Sequence, residues 1–291
     1  MTTFFSQPIT ELIRRRTSWR TFSQEHPLSS GEQKSIAHIL HRFSHGPLGT
    51  SLRCSLIQAP FDNPKALQRF GTYGLIKNAH SYIVCAITKE DPALLDCGWC
   101  FENIILELTA LNLATCWLGG IFNRSTLSTE MALKENEEIP VISPVGHPAD
   151  KRALVDSATC IIAGAKKRKP WSDLFFNGSF NIPLTKDAAG TAAEAFEMVR
   201  LGPSASNRQP WRIVQDSKNN MHHFYCYRAP SYSVVLKTFK TSDLQKIDIG
   251  IAMTHFEHTL QHLTFPRGTW KNVQPRITAP PHTEYIISRV Q

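Results

Sequence analysis

Two stretches of this chain match one another at a nearly constant separation, and that internal repeat limits the folds open to it more than any other feature. When "HPLSSGEQKSIAHILHRFSHGPLGTSLRCSLI" (26–57) is set beneath "IPLTKDAAGTAAEAFEMVRLGPSASNRQPWRIV" (182–214), Pro27-Leu28 falls on Pro183-Leu184 and Gly46-Pro47 on Gly202-Pro203, both 156 residues on. A second pair follows in the same order: "DCGWCFENIILEL" from Asp96 resembles "DIGIAMTHFEHTL" from Asp248, 152 residues on. Gly-Pro helix ends and Asp-x-Gly helix starts are common punctuation, but here order and spacing agree. The expectation is two diverged copies of one unit, an N-terminal half over 1–178 and a shorter C-terminal half over 179–291.

The periodicity of each part predicts the same kinds of element. Residues 8–15, 29–45, 92–113, 187–201 and 243–263 read as helices, the third of them long and apolar. Residues 52–59, 80–88, 211–216 and 221–228 read as strands, joined by a short strand ending in "TCWLGG", another in "IPVISPVG" and a last one in "EYIISRV". This alternation gives an α+β fold, mixed α/β in layers, rather than a bundle or a sandwich.

With 291 residues, 42% of them hydrophobic and 19% charged, the chain can build a sizeable core, which argues against disorder. Thirty-two Lys and Arg against 24 Asp and Glu leave a net charge of +8, which favours anionic partners. The cations are grouped in two compact runs rather than interleaved with aromatics over a broad face, so a compact ligand fits better than a nucleic acid. Seven cysteines without the spacing of a disulfide framework are expected in a reducing compartment. "MTTFFSQPITELIRRRTSW" lacks an apolar segment behind basic residues, and no run reaches the length of a membrane span. A soluble, cytoplasmic protein with no membrane partner is the expectation.

Five constellations could carry chemistry. In "RRRTSWRTF" (14–22), Arg14, Arg15, Arg16, Ser18 and Arg20 could converge on a phosphate, since guanidinium groups grip oxyanions in pairs; the same residues also make an ordinary solvated helix end. "AKKRKPW" (165–171) is a second basic run, open to a localisation patch, a nucleic-acid contact or another phosphate clamp. "LGPSASNRQPW" (201–211) places small hydroxyl and amide side chains after a helix end, suited to a planar polar ligand but without a cation of its own. "CGWC" (97–100) has redox-motif spacing, yet the repeat sets Ile249 and Ala252 opposite Cys97 and Cys100, which marks core positions. His255, His258 and His262 share a helical face, but no Cys or carboxylate motif completes a metal set. No hydrolase-like triad or phosphate loop is present.

Taken together, "RRRTSWRTF", "GTYGLIKNAHSYIV", "DCGWCFENIILELTALNLATCWLGG", "PVISPVG", "KKRKPW" and "PSASNRQPW" resemble the FMN-dependent nitroreductase family, in its tandem branch with two nitroreductase-like halves in one chain. The resemblance covers most of residues 8–260. It implies a single-chain pseudo-dimer that can function as a monomer, because such enzymes hold flavin with basic residues of one subunit and a Pro-Ser-rich loop of the other. By this likeness Arg16, Thr17 and Ser18 correspond to phosphate and ribityl contacts, and Arg20 to the cation at the pyrimidine edge of the flavin. Lys166 and Arg168 match the late phosphate pair, and Gly119 and Gly120 the turn whose backbone N–H groups face flavin N5. Pro203, Ser204, Ala205, Ser206 and Asn207 match the loop from across the interface. A polar residue before "AHSYIV" is either Tyr73 or Lys77.

The resemblance further implies FMN as cofactor, NAD(P)H as reductant and a small electrophilic acceptor of nitroaromatic or quinone type, with no catalytic side chain required. The alternative is a non-catalytic FMN- or nucleotide-binding flavoprotein used for sensing, storage or regulation. The repeat adds a prediction of its own. Arg16, Ser18 and Arg20 fall on Ser172, Leu174 and Phe176, and Ser204, Ser206 and Asn207 on Leu48, Thr50 and Ser51, so one FMN per chain is expected, not two.

Overall fold

Ser29 and Glu32 begin the first long helix by capping each other: the Glu32 N–H donates to Ser29 Oγ, and the Ser29 N–H donates back to Glu32 Oε2. This reciprocal box satisfies two amides that a helix start otherwise leaves open. The computed structural model describes residues 5–59, 70, 72, 75–120, 122–150, 167–228 and 242–291. Contacts divide the chain into two units, one of Arg15–Lys166 and one of Met1–Arg14 with Lys167–Gln291. The repeat draws its boundary at 178/179 on a different criterion.

The unit of Arg15–Lys166 contains helices α2 (Ser30–Arg42), α3 (Ala93–Ala110) and α4 (Arg124–Glu130) and strands β1 (Leu52–Gln58), β2 (Ser81–Thr88), β3 (Ala114–Thr115) and β4 (Glu137–Gly146). Its sheet has the order β1-β2-β4-β3, every neighbouring pair antiparallel. Strand β2 is buried along nearly its whole length, because both its faces are covered. Tyr82, Val84 and Ala86 join a cluster with Phe22, Phe70, Leu118 and Ile142, while on the opposite face Cys85 reaches Cys97 of α3. That arrangement turns period-two alternation into a continuous apolar run.

The other unit begins with most of α1 (Ile9–Arg15) and continues through β5 (Phe175–Asn177), β6 (Ser179–Pro183), α5 (Lys186–Ala189), α6 (Ala193–Leu201), β7 (Trp211–Asp216), β8 (Met221–Tyr227), α7 (Leu244–His262), β9 (Thr269–Lys271) and β10 (Thr283–Val290). Its sheet runs β6-β5-β7-β8-β10-β9. Rings packed edge to face form the core: Phe175 on Phe196 (5.0 Å between centroids), Phe196 on Phe256 (5.1 Å) and Phe256 on Phe224 (5.5 Å). This is the favoured geometry for aromatic pairs.

The two units share one topology. A helix (α2, α6) leads into an antiparallel strand pair (β1-β2, β7-β8), then a long helix (α3, α7), and then two further strands, giving the sheet orders β1-β2-β4-β3 and β7-β8-β10-β9. All the pairs in both sets are antiparallel. The mixed helix-and-sheet class is as the periodicity predicts. Strands β5, β6 and β9 were not anticipated: β5 is three residues and pairs in parallel with β7 only through long-range contact, which no local pattern announces. Helix 187–201 is interrupted, since Gly190 takes φ +56° after α5.

Candidate functional site

The candidate residues form one cluster in each unit. In the unit of Arg15–Lys166 the basic segment after α1 runs extended and is stitched along its length. Ser18 bridges Thr115, the Trp19 N–H donates to Thr115 O (2.8 Å), and the Lys77 N–H donates to Arg20 O (2.7 Å). Arg15 turns away to the C-terminal end of α3, donating to Thr109 O and Asn112 Oδ1, where a cation meets unpaired carbonyls. Arg16 is largely buried, its Nε 4.0 Å from Glu102 Oε1 and without a hydrogen bond of its own. Glu102 Oε2 accepts from Trp117 Nε1 (2.8 Å).

Residues 114–120 run between that segment and β4, with Leu118 bridging Ile142. Gly119 and Gly120 form the turn that follows; Gly119 O accepts from Arg124 Nη2, and a Cβ built on Gly120 would meet nothing within 4 Å. Thus Arg16, Thr17, Ser18 and Arg20 lie on the segment bonded to Thr115 and Lys77, and Gly119 and Gly120 follow four and five residues after Thr115. Lys77 adjoins Arg20 through its backbone, whereas Tyr73 and Lys166 lie outside the described residues.

In the other unit the loop at Pro203–Asn207 is strained and internally bonded. Ser206, Asn207 and Gln209 have φ of +50°, +53° and +49°, a left-handed conformation that costs a residue with a side chain about 1 kcal/mol or more and is typical of ligand sites. The Asn207 N–H donates to Ser204 O, the Arg208 N–H to Ala205 O and the Gln209 N–H to Ser204 Oγ. Ser206, exposed, is left with no bond to a described residue. Arg168 is pinned onto the loop, donating from Nη1 to Asn207 Oδ1 (3.3 Å) and from Nη2 to Leu201 O (3.0 Å), while Asn207 Nδ2 donates to Lys167 O. The late cation and the hydroxyl-amide loop therefore meet within one unit.

Each unit also anchors its Gly-Pro loop on a buried aspartate near the start of its long helix. Asp96 accepts from the Leu48 N–H, the Thr50 N–H and the Thr50 hydroxyl. Asp248 accepts from the Ala205 N–H through Oδ1, and its buried Oδ2 has no partner. Burial pushes both carboxyls up, against the hydrogen bonds that pull them down, and Asp248 is held well above the usual carboxylate range. The sequence marked these two only as helix starts; their recurrence in the repeat was the available signal.

The remaining motifs resolve into packing. Cys97 and Cys100 are fully buried in α3. The hydrogen bond with Cys85 pulls the Cys97 thiol pKa down, but burial together with neighbouring thiols and Glu138 leaves it raised, and burial, then Asp96 and Cys54, push Cys100 up, the opposite of a redox-active thiol. His255 Nδ1 is 2.8 Å from Met198 O, and His258 meets Phe5 edge to face. Among the described residues no group of His, Cys, Asp and Glu could hold a metal ion, and no helix is long and apolar enough to cross a membrane.

Among solved structures, a nitroreductase from Thermotoga maritima matches 98% of this chain and 94% of its own at 20% identity, with a TM-score of 0.60. A nitroreductase with bound FMN from Desulfitobacterium hafniense (19% identity, TM-score 0.42) covers 51% of this chain and 93% of its own. A nitroreductase family protein from Clostridium difficile (17%, TM-score 0.43) covers 56% and 94%. No curated protein matches. The family model described as "Putative TM nitroreductase" matches residues 8–260, and the chain belongs to that nitroreductase family.

Proposed function

We propose that this chain is an FMN-dependent oxidoreductase, reduced by NAD(P)H and oxidised by a small electrophile such as a nitroaromatic or a quinone. The observation that carries the reading is the strained 203–209 loop, which bonds the Asn207, Arg208 and Gln209 N–H groups internally, leaves Ser206 open and holds Arg168 against Asn207. A preorganised hydroxyl-amide surface next to a guanidinium fits a polar ring system bearing a phosphate. Family membership supports the same assignment.

The flavin, when bound, supplies the hydride chemistry. On this reading Arg16, Thr17 and Ser18, and likewise Lys166 and Arg168, would serve as phosphate and ribityl contacts, and Pro203, Ser204, Ala205, Ser206 and Asn207 would orient the cofactor. Gly119 and Gly120 would offer the flavin backbone N–H donors, in a turn without side chains to obstruct a substrate. Arg20 sets a fixed cation where negative charge develops, and preorganised charge of this kind costs no rearrangement. No side chain acts as nucleophile or general base.

The matching topologies and paired Asp-to-loop anchors lead us to infer that the units are two copies of one ancestral unit, so that a single chain functions as a monomer. The visible absorption spectrum of the purified protein tests the proposal first. A flavin band is expected, with NADH or NADPH oxidation that depends on added nitroaromatic or quinone; Arg20→Ala is expected to lower flavin retention and slow reduction by tenfold or more. A colourless protein that gains no band with added FMN overturns the proposal, and a flavin band without turnover assigns the chain a binding role instead.

A further inference from the structure

Lys169, Arg208 and Arg212 are gathered in the unit of Met1–Arg14 with Lys167–Gln291, and the flavin reading uses none of them. Lys169 Nζ is 5.8 Å and Arg212 Cζ 5.2 Å from the centroid of the same ring, that of Tyr227. Both cations are half-buried, with Arg208 exposed beside them. Arg212 spends one nitrogen on the protein, donating from Nη1 to Gln209 O (3.2 Å) and Trp211 O (2.7 Å); its Nε and Nη2, like Lys169 Nζ, have no partner among the described residues. The Lys169 backbone is fixed by its N–H donating to Gln209 Oε1 (2.8 Å).

Among the described residues no anion is bonded to this group. Among the described residues none of the three cations forms an ion pair; Asp173 is the only carboxylate whose field reaches Lys169 and Arg212. The residues of this unit outside the described set, 1–4 and 229–241, contain no Asp or Glu. Cations withdrawn from water without a counter-charge are unstable as they stand. The consequence is visible at Lys169, whose ammonium is pushed down to about 8 by burial first, then by Arg212 and Arg208, against the opposing pull of Asp173. The Tyr227 ring is already contacted by both cations, so the cluster is not a platform for stacking an aromatic ligand.

We propose that Lys169 and Arg212, both over the Tyr227 ring, and Arg208, whose charge acts on Lys169, form a binding site for a phosphomonoester dianion. The chemistry selects that class. A guanidinium with two uncommitted N–H donors takes two oxygens side by side, and the ammonium takes a third; a carboxylate has only two oxygens and leaves Lys169 unmatched. The inference rests on this unit's own residues and does not require the flavin reading.

Isothermal titration of the full chain with inorganic phosphate, adenosine 2′-monophosphate and adenosine tests it, comparing the wild type with Lys169→Met/Arg212→Met. Both phosphates are expected to bind the wild type and adenosine not to; the double variant is expected to lose tenfold or more in affinity. Between pH 7 and pH 9 adenosine 2′-monophosphate stays dianionic while Lys169 loses its proton, so wild-type affinity falls across that range. In Lys169→Met alone the pH dependence disappears, an effect that loss of a packing contact would not produce. Equal binding by wild type and double variant, or none by either, overturns the proposal. If the double variant instead sheds bound flavin, the cations serve the flavin's own phosphate, and the proposal fails while the flavin reading stands. NADP⁺ binding tenfold tighter than NAD⁺, with the difference lost in the double variant, identifies the ligand as a nucleotide phosphate; equal affinity leaves free phosphate as the source.

Discussion

At the scale of single residues, burial decides the protonation state of several groups that sequence leaves ambiguous. The ring of His222 is enclosed by Phe196 (5.7 Å) and Phe256 (4.8 Å), and its Nδ1 is buried without a partner. Burial, then the nearby Arg289 and His223, push it down to about 3 from an ordinary 6.5. In the unfolded chain the same ring takes up a proton below about 6.5. Between pH 6.5 and pH 3 the unfolded state therefore binds more protons, and stability falls as pH falls, by up to about 1.4 kcal/mol per pH unit for this one group. His222→Phe should flatten that part of the profile without loss at pH 7, because it removes an unsatisfied nitrogen and adds an aromatic ring among aromatics. Urea melts of both proteins from pH 4 to pH 7 check it; parallel profiles would show that other groups set the acid limb. A second residue-scale prediction concerns Gly46, where a Cβ would lie 2.0 Å from Asp96 Cγ. Gly46→Ala must displace the carboxyl that holds the 48–50 loop, and a loss of about 2–3 kcal/mol is expected in the same melts.

Elements are held by a small number of buried polar ties, and those ties separate what was legible in the sequence from what was not. The long helices 92–113 and 243–263 are observed as Ala93–Ala110 and Leu244–His262, because an apolar run of that length between turn signals has few other readings. The polar residues inside them were less readable: Glu102, Asp96, Asp248 and Glu257 interrupt apolar runs, but their partners are far away in sequence. Glu257 of α7 pairs with Arg289 of β10, which is fully buried, and also accepts from the Gly268 N–H (3.2 Å) and Gln261 Nε2 (2.9 Å). Arg289 Nη2 in turn donates to Pro266 O (2.7 Å). This tie fastens the last strand and the 266–268 turn to α7, and a sequence reading finds no chemistry in that tail. Glu257→Ala is expected to cost about 3–5 kcal/mol, since it strands a buried guanidinium. Glu257→Leu with Arg289→Met should cost less than either change alone, because no charge is then left uncompensated. Additive losses in a double-mutant cycle would deny the coupling.

At the scale of the whole molecule, the question is whether two similar units should carry one flavin or two. If the copies were functionally equal, the positions related by the repeat would offer the same chemistry. They do not: Leu174, set opposite Ser18 by the repeat, is fully buried, and Phe176, set opposite Arg20, carries no charge. The loops diverge in the same sense. Ser206 keeps its polar groups outside the loop's internal bonds, whereas the Leu48 and Thr50 amides and the Thr50 hydroxyl are all committed to Asp96. One loop leaves an exposed hydroxyl outside its bonds, and the other holds its donors inward on Asp96. Asp96 with three bonds and Asp248 with one express that division. A chain built this way should carry one flavin, and the ratio of flavin absorbance at about 450 nm to protein, after release of the cofactor by denaturation, should approach one. Reconstitution with excess FMN should not raise it. A ratio near two would mean that the loop at 46–51 binds through groups other than those Asp96 holds, and the asymmetry between the two anchors would then have no bearing on the cofactor.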